Sequence, residues 1–478
     1  MKSLTSLAKQ GVKWSMVGQV SSLVIALVSN ALLSRLVAPE YFGLIATLSI
    51  FLGLLKVITN FGLGLSIIRK PRVTRSYLNT GFWINFSFDT ILGLILFISA
   101  PFIAEFYNDH RLVLLSQIFA FTFFFGGLGM VPSTMLNRHL RFKSISIIQI
   151  ASVIISSAFA ILVAYKGYTA WALVVQVVSA ALFSGIFPYF FYRWIPRFDF
   201  SREYAKDFFS FGSPLLGDSV LNYAVRNLDS FLLGRFIGID SLAYYNKSYQ
   251  IMTLPVQQIS GTLKKVFYPI LAKKQTSSND FSSTYINLIR IVAFVTFPMM
   301  IGVSFCAEEL ILTIFGENWK PAILPLRFLA ILGAIQPVAS IAGLAYLLKS
   351  ETKLMFRVGL ISKSLMIFGI ILGLKWGLIG VALGYAISSL IAALFEFYFT
   401  SKLIGRSLFN FLTQLKEPFF MTVAMGSIIF STFYFIHTDN HLLNLFIKIS
   451  VGVFSYGLIL VTVYKDYYIG IKQQILRL

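Results

Sequence analysis

Residues 14–37 read WSMVGQVSSLVIALVSNALLSRLV, a run in which Arg35 is the one charged side chain. Wound as a helix at about 1.5 Å per residue, it is long enough to cross a hydrocarbon core about 30 Å thick. Lys2, Lys9 and Lys13 precede it, but the apolar stretch is too long for a signal-peptide core and lacks a convincing small-x-small cleavage site. It is expected to be retained as a first membrane span.

Outward from this stretch the same texture continues. Of 478 residues, 57% are hydrophobic and 12% charged, whereas a soluble domain carries about a quarter charged residues. Apolar runs bounded by turns or charges fall near 14–37, 42–68, 80–106, 113–136, 145–165 and 168–192. Others follow near 209–238, 242–271, 284–307, 322–348, 355–374 and 377–400, and a last pair near 418–437 and 443–464. These runs do not alternate at every second position, so helices rather than a β-barrel follow. The expected fold is an all-α membrane protein of about 14 transmembrane helices. Its parts are a first lobe (1–192), an amphipathic cytoplasmic linker (193–208), a second lobe (209–400), and a linker with two extra helices (401–478).

Loop charge tests this count, because a missed span would scramble the alternation of Lys and Arg between successive loops. One side receives Arg69, Lys70, Arg72 and Arg75, then Arg138, Arg141 and Lys143, then Arg193, Arg197, Arg202 and Lys206, and so on to Lys465, Lys472 and Arg477. The other side has isolated Arg111, Lys166, Lys320, Lys375 and Lys448 among Glu40, Asp109, Glu308, Glu309 and Glu317. Both termini are therefore expected in the cytoplasm. The net charge of +21 is topogenic, which removes the nucleic-acid reading it would carry in a soluble protein. A lone Cys306 and four scattered His residues exclude an internal disulfide and give no metal-ligand cluster.

The chain also repeats itself. Leu33-Ser-Arg35-Leu-Val-Ala-Pro-Glu40 answers Leu233-Gly-Arg235-Phe-Ile-Gly-Ile-Asp240 at an offset of 200, and Gly167-Tyr-Thr-Ala-Trp-Ala-Leu173 answers Gly377-Leu-Ile-Gly-Val-Ala-Leu383 at 210. Two blocks with an even number of spans enter the membrane the same way, so the repeats are parallel, with a central cavity expected between the lobes. The last two spans have no counterpart, and a chain ending after Arg406 is expected to insert stably without them.

Polar residues deep in spans are the candidates for transport, since a charge at the bilayer centre costs at least about 2.5 to 3.5 kcal/mol. Arg35, Arg235, Arg290, Arg327 and Glu396 lie near span ends and can snorkel as anchors. Lys56 lies about 12 residues from either end of its run, or roughly 18 Å, beyond the reach of a lysine side chain. Asp218, Asn222, Arg226 and Asp229 follow at helical steps and are read as one face, either a cavity wall or an interhelical network. Lys247, Gln250, Gln257 and Lys264 repeat the pattern in the next run, where Lys264 and Lys265 can equally be cytoplasmic anchors. The first run offers Ser15, Gln19, Ser22 and Asn30, to bind sugar hydroxyls or to pack helices. Asp89, four residues after Asn85, is the best buried carboxylate of the first lobe for H+ or Na+ coupling, with Asp218 a second. Tyr244 and Tyr245 could stack on sugar rings.

Lys13-Trp14-Ser15, the Ser34-Arg35-Leu36 to Pro39-Glu40-Tyr41-Phe42-Gly43-Leu44 turn, and Asn137-Arg138-His-Leu-Arg141-Phe142-Lys143 resemble the polysaccharide transporter (Wzx-type) flippases. That family sits in the multidrug/oligosaccharidyl-lipid/polysaccharide exporter superfamily, and the similarity is to its colanic-acid and teichuronic-acid exporter-like branch. The resemblance implies two six-helix lobes around a V-shaped cavity in the bacterial plasma membrane. It also implies flipping of an undecaprenyl-pyrophosphate-linked oligosaccharide, with polysaccharide polymerase machinery and membrane lipids as partners. Lys56, Arg226 and Lys264 suit an anionic pyrophosphate. A drug exporter of the same superfamily is the alternative transporter, although it would want buried carboxylates for cationic drugs, where this chain has deep basic residues. A polymerase or ligase, the enzyme alternative, would need a large external catalytic loop. No Gly-x-x-x-x-Gly-Lys-Ser/Thr motif occurs, so no nucleotide cofactor is expected, and an ion gradient or the membrane potential would supply any energy.

The charge alternation predicts labelling by a membrane-impermeant thiol reagent in intact cells. In a Cys306→Ser background, Arg72→Cys and Glu203→Cys should stay unlabelled while Asp109→Cys and Asn318→Cys react. Labelling at position 72 with protection at 109 would invert the topology.

Overall fold

The computed structural model describes residues 4–59, 62–274, 278–435 and 438–463. Among them every regular element is a helix. The chain runs α1 (Leu4–Leu36), α2 (Pro39–Thr59), α3 (Leu63–Arg69), α4 (Arg75–Tyr107), α5 (Arg111–Leu128), α6 (Met130–Arg138), α7 (Phe142–Tyr165) and α8 (Thr169–Phe191). It continues with α9 (Arg202–Arg226), α10 (Leu228–Phe236), α11 (Ile239–Lys273), α12 (Ser278–Phe305), α13 (Ala307–Ile314), α14 (Ile323–Leu348), α15 (Thr352–Gly373) and α16 (Gly377–Leu403), and closes on α17 (Leu408–Thr413), α18 (Lys416–Phe435) and α19 (His441–Thr462).

Among the described residues, eleven segments are long and apolar enough to cross a membrane. One of them, Thr352–Leu403, is 52 residues long and holds two helices, α15 and α16, joined at Gly377. The expected runs 209–238 and 242–271 are not among the eleven. Their helices α9, α10 and α11 carry the polar residues singled out above, which lower their hydropathy.

Packing divides the chain into two compact units, Met1–Ala243 and Tyr244–Leu478. The boundary falls after α9 and α10 because both pack on α2 and α4. Inside the first unit α4 pairs with α5, α5 with α8, and α7 with α8. Inside the second, α12 pairs with α14, α14 with α16, and α15 with α16. These are the same pairings of third with fourth, fourth with sixth, and fifth with sixth runs. Helix ends repeat at the sequence offset as well, α1 stopping at Leu36 and α10 at Phe236, α2 starting at Pro39 and α11 at Ile239. Gly167 (φ 86°) and Gly377 (φ 68°) occupy the left-handed corner of equivalent turns, a conformation costly for a side-chain-bearing residue.

Small residues set the helix spacing, as they must where lipid is as apolar as leucine. A Cβ on Gly373 would meet the Gly380 carbonyl, and one on Gly384 the Gly369 carbonyl. At α1, Gly18 lies against Ser146 of α7, whose hydroxyl donates to the Trp14 carbonyl at 2.7 Å.

In the second unit, α18 packs on α12, and α19 on α12, α13 and α18. Lys448 and Glu309, both counted as loop charges from the sequence, are buried and paired, Nζ to Oε1 at 2.5 Å with side-chain exposures of 8% and 3%. Lys448 also donates to the Phe305 carbonyl at 3.1 Å. The last two helices are thus tied to the rest of the unit, which argues against the expectation that a chain ending after Arg406 inserts stably. Such a truncation strips buried Glu309 of its counterion and uncovers α12.

Removing one partner of a buried pair leaves an uncompensated charge and costs about 3 to 5 kcal/mol, while replacing both is far milder. Lys448→Met should therefore lower the thermal stability of the detergent-purified protein sharply, and Lys448→Met with Glu309→Gln should recover most of the loss. A double variant as unstable as the single one would refute the pairing. The chain ending after Arg406 should accumulate poorly in membranes.

Candidate functional site

The second apolar run is two helices, because Gly62, at φ 91°, cannot continue one. Lys56 lies in the last described turn of α2, inside the apolar segment Pro39–Arg69, and its side chain is exposed. The negative end of the helix dipole favours a cation there, and interrupted spans are where transporters place charged ligands. Among the described residues the ammonium has no ion-pair partner within 4 Å.

Asp89 of α4 is buried at 6% exposure and accepts the Asn85 amide at 2.6 Å. Spacing of four puts both on one helical face. The Thr59 hydroxyl, at the end of α2, donates to the Lys56 carbonyl at 3.1 Å, and both residues contribute to the electrostatic surroundings of the carboxylate. Gly127 of α5 makes the room, since a Cβ there would come within 2.7 Å of Asp89 Oδ2. The structure thus gathers Lys56 and Thr59 of α2 with Asn85 and Asp89 of α4, two elements that the sequence separates.

Tyr223 docks α9 on α2. Its hydroxyl donates toward the Ile50 carbonyl at 3.0 Å and the Ser49 carbonyl at 3.3 Å, and its ring fills the space that a Cβ on Gly53 would need. Lys56 is three residues past Gly53 and Arg226 three past Tyr223. They lie on adjoining helices of one unit, not on two separately packed ones as the lobe boundary implied. Arg226 is exposed in the last turn of α9.

The polar stripe is also not one continuous face. α9 ends at Arg226 and α10 begins at Leu228, so buried Asp229 belongs to a new helix, where its Oδ1 accepts the Ser230 amide at 2.7 Å. The side chains of Asp218, Asn222 and Lys264 lie outside the described residues. On α1, Gln19 is exposed and half-buried Asn30 accepts the Ser34 hydroxyl at 3.3 Å. Ser22 is buried and Ser29 accepts Gln176 of α8 at 3.0 Å, so that part of the stripe packs helices.

In the second unit Gln250 and Gln257 of α11 are exposed. Two expectations there fail. Tyr245 is fully buried and stacked near Tyr249, so it has no face free for a sugar. Lys247 is buried at 4% exposure over the rings of Phe315 and Trp319, 4.7 and 4.5 Å away, a cation–π seat in place of a cavity wall.

Sequence reasoning missed a cluster at the basic end of the first unit, around Lys70 and Asp207. Lys70 pairs with Asp207 at 2.9 Å, the Tyr77 hydroxyl donates to the same carboxylate at 3.1 Å, and Ser66 lies 2.8 Å from that hydroxyl. The hydrogen bond from Lys70 holds the Asp207 carboxyl below the usual carboxylate range. The available signal was an aspartate set in a strongly basic segment.

A family model described as "Polysaccharide biosynthesis protein" matches residues 32–324. The chain is 31% identical to "Teichuronic acid biosynthesis protein TuaB" of Bacillus subtilis over 98% of both chains. It is 24% identical to "Lipopolysaccharide biosynthesis protein WzxC" of Escherichia coli, over 88% of this chain and 86% of that one. Among solved structures it resembles the inward closed conformation of the lipid II flippase MurJ, with a TM-score of 0.73 at 16% identity, covering 95% of this chain and 99% of that one. An inward-facing multidrug resistance transporter of the MATE family follows with a TM-score of 0.61 at 17% identity, over 80% of this chain and 94% of that one. With a family match over more than half its length and a relative similar from end to end, the chain belongs to the polysaccharide biosynthesis protein family.

Proposed function

We propose that this protein is a flippase that carries undecaprenyl-pyrophosphate-linked oligosaccharide repeat units across the bacterial plasma membrane by alternating access. On this reading it has about 14 spans, built from two parallel six-helix repeats and the extra pair α18 and α19, with both termini cytoplasmic. α9 with α10, and α11, are the spans too polar for lipid because they line the path. The observation that carries the reading is Lys56, an exposed ammonium in the last turn of an interrupted apolar helix.

Lys56 and Arg226 would grip the pyrophosphate, Arg226 through the planar fork that suits two phosphate oxygens at once. Asp89, with Asn85 and Thr59, would take the coupling H+ or Na+, so that filling of this site and release of the anion answer one another through the Lys56 charge. The apolar tail need not cross. A mostly apolar cavity of about 490 Å³ bounded by α12, α18 and α19, with Pro298, Gly302, Met425, Ile429 and Gly452 in its wall, offers it a groove.

Complementation of polysaccharide export in a flippase-null strain, with membrane abundance followed alongside, tests the anion site. Losing a hydrogen bond to a charged group is worth about tenfold or more, so Lys56→Gln and Arg226→Gln should each cut export by about that factor at normal abundance. Arg226→Lys should do worse than Lys56→Arg. Normal export by the Lys56→Gln, Arg226→Gln double variant would sink the reading.

The coupling role makes a separate prediction. In proteoliposomes, export should respond to an imposed pH or Na+ gradient, and Asp89→Asn should abolish the response. Gly127→Ala should weaken it by pushing on the carboxylate. A gradient response retained by Asp89→Asn excludes that carboxylate as the coupling site.

A further inference from the structure

Between α8 and α9 the chain runs Tyr192-Arg-Trp-Ile-Pro-Arg-Phe-Asp-Phe-Ser201 without a helix, yet its backbone is fixed against the first turns of α4. Asn79 Oδ1 accepts the Arg197 amide at 3.2 Å, and the Thr80 hydroxyl accepts the Ser201 amide at 3.0 Å. The Trp83 indole donates to the Arg197 carbonyl at 2.9 Å. Trp194 is buried and meets Phe82 edge-on at 5.6 Å, and Ser201 then caps α9. The segment follows directly on one span-length apolar helix, Thr169–Phe191, and rests on the start of another, Arg75–Tyr107. That places it at the edge of the hydrocarbon layer.

The side chains displayed by this backbone do not suit water. Ile195, Phe198 and Phe200 are 73%, 94% and 57% exposed, and Phe198 stacks on Trp83 at 4.6 Å. Arg193, Arg197, Arg202 and Lys206 stand among and just after them, all exposed. Among the described residues none of these cations has an ion-pair partner within 4 Å. Asp207 is taken by Lys70, and exposed Asp199 and Glu203 are fewer than the cations around them. Large apolar groups interleaved with arginines fit an interface, where rings settle below the phosphates and long cationic side chains stay level with them.

We propose that residues 192–206 form a binding site for anionic phospholipid of the surrounding leaflet. Arg193, Arg197 and Arg202 take the headgroup phosphates, each through a fork that can bond two oxygens, and Ile195, Phe198 and Phe200 seat against the upper acyl chains. The hydrogen bonds from α4 hold the backbone in place beforehand, which cuts the ordering cost of binding. The site is distinct from the one proposed around Lys56 and does not depend on transport.

A bimane attached at position 199 in a Cys306→Ser, Asp199→Cys background reports which lipid lies beside the segment. The purified full chain is reconstituted into nanodiscs of equal parts phosphatidylglycerol and phosphatidylcholine, with one or the other lipid brominated near the top of its chains. Brominated phosphatidylglycerol should quench the bimane more strongly. Arg193→Gln, Arg197→Gln and Arg202→Gln should each lower that preference about fivefold, the equivalent of about 1 kcal/mol for a basic residue at an anionic surface. The matching lysine variants should keep most of it. Phe198→Ser should weaken quenching by both lipids and leave their ratio unchanged, because it removes depth and not charge. A bimane at Val453→Cys, a site 72% exposed on α19, should show no preference.

Equal quenching by the two lipids at position 199 would overturn the proposal. Absence of quenching by either would do the same and point to a water-soluble partner. A preference that survives all three glutamine substitutions together would also overturn it. So would one that inorganic phosphate abolishes at an ionic strength where chloride does not, since the site would then serve a free anion.

Discussion

In hydrocarbon a backbone N–H or C=O has no water to turn to, so each must find a partner within the protein. An unbroken helix does this for itself; an interrupted one cannot. This chain interrupts several of its apolar runs, and at three of these interruptions a side-chain donor stands in. Asn227 donates to the Tyr223 carbonyl at the end of α9 at 2.8 Å, Tyr189 to the Leu128 carbonyl at the end of α5 at 2.7 Å, and Lys448 to the Phe305 carbonyl at the end of α12. Arg138 performs the same service for α3. The polar residues of the interior are thus required first by the helix ends, and their positions follow from where the helices stop.

Two of these donors carry a full charge, and that links packing to function. A charge fixed by backbone carbonyls is already oriented and loses little freedom when it pairs further, as Lys448 does with Glu309. Lys56 is the contrasting case. It stands in the last described turn of α2, exposed, with no ion-pair partner among the described residues. Nearby Asp89 is buried and held by Asn85, which protects a carboxylate from lipid while keeping it within electrostatic reach of the lysine.

The two repeats have kept their geometry and diverged in chemistry. Their helix pairings agree, and their turn glycines share the left-handed conformation. Yet their buried polar residues differ, the first unit enclosing Asp89 and the second, at a different place in its repeat, Lys247 among aromatic rings. Close backbone approach tolerates only small side chains, so it preserves the spacing of helices; interior polar groups can change as long as each keeps a partner.

Helix class, the boundaries of the runs and the internal repeat were legible in the sequence because hydropathy, loop charge and turn residues act over a few neighbouring positions. The stop at Leu36 and the start at Pro39 fall where the Ser34-to-Leu44 turn put them. Interruptions were not legible. Gly62 and Asn227 sit in runs that read as continuous, since a single residue at positive φ or one amide on a carbonyl hardly changes mean hydropathy. Partnerships were less legible still. Nothing local pairs Lys70 with Asp207, Tyr223 with Gly53 or Lys448 with Glu309, residues separated by more than a hundred positions. Whether a deep polar residue is a ligand group or a satisfied structural one depends on which helix lies opposite, and only the tertiary packing of the helices decides that.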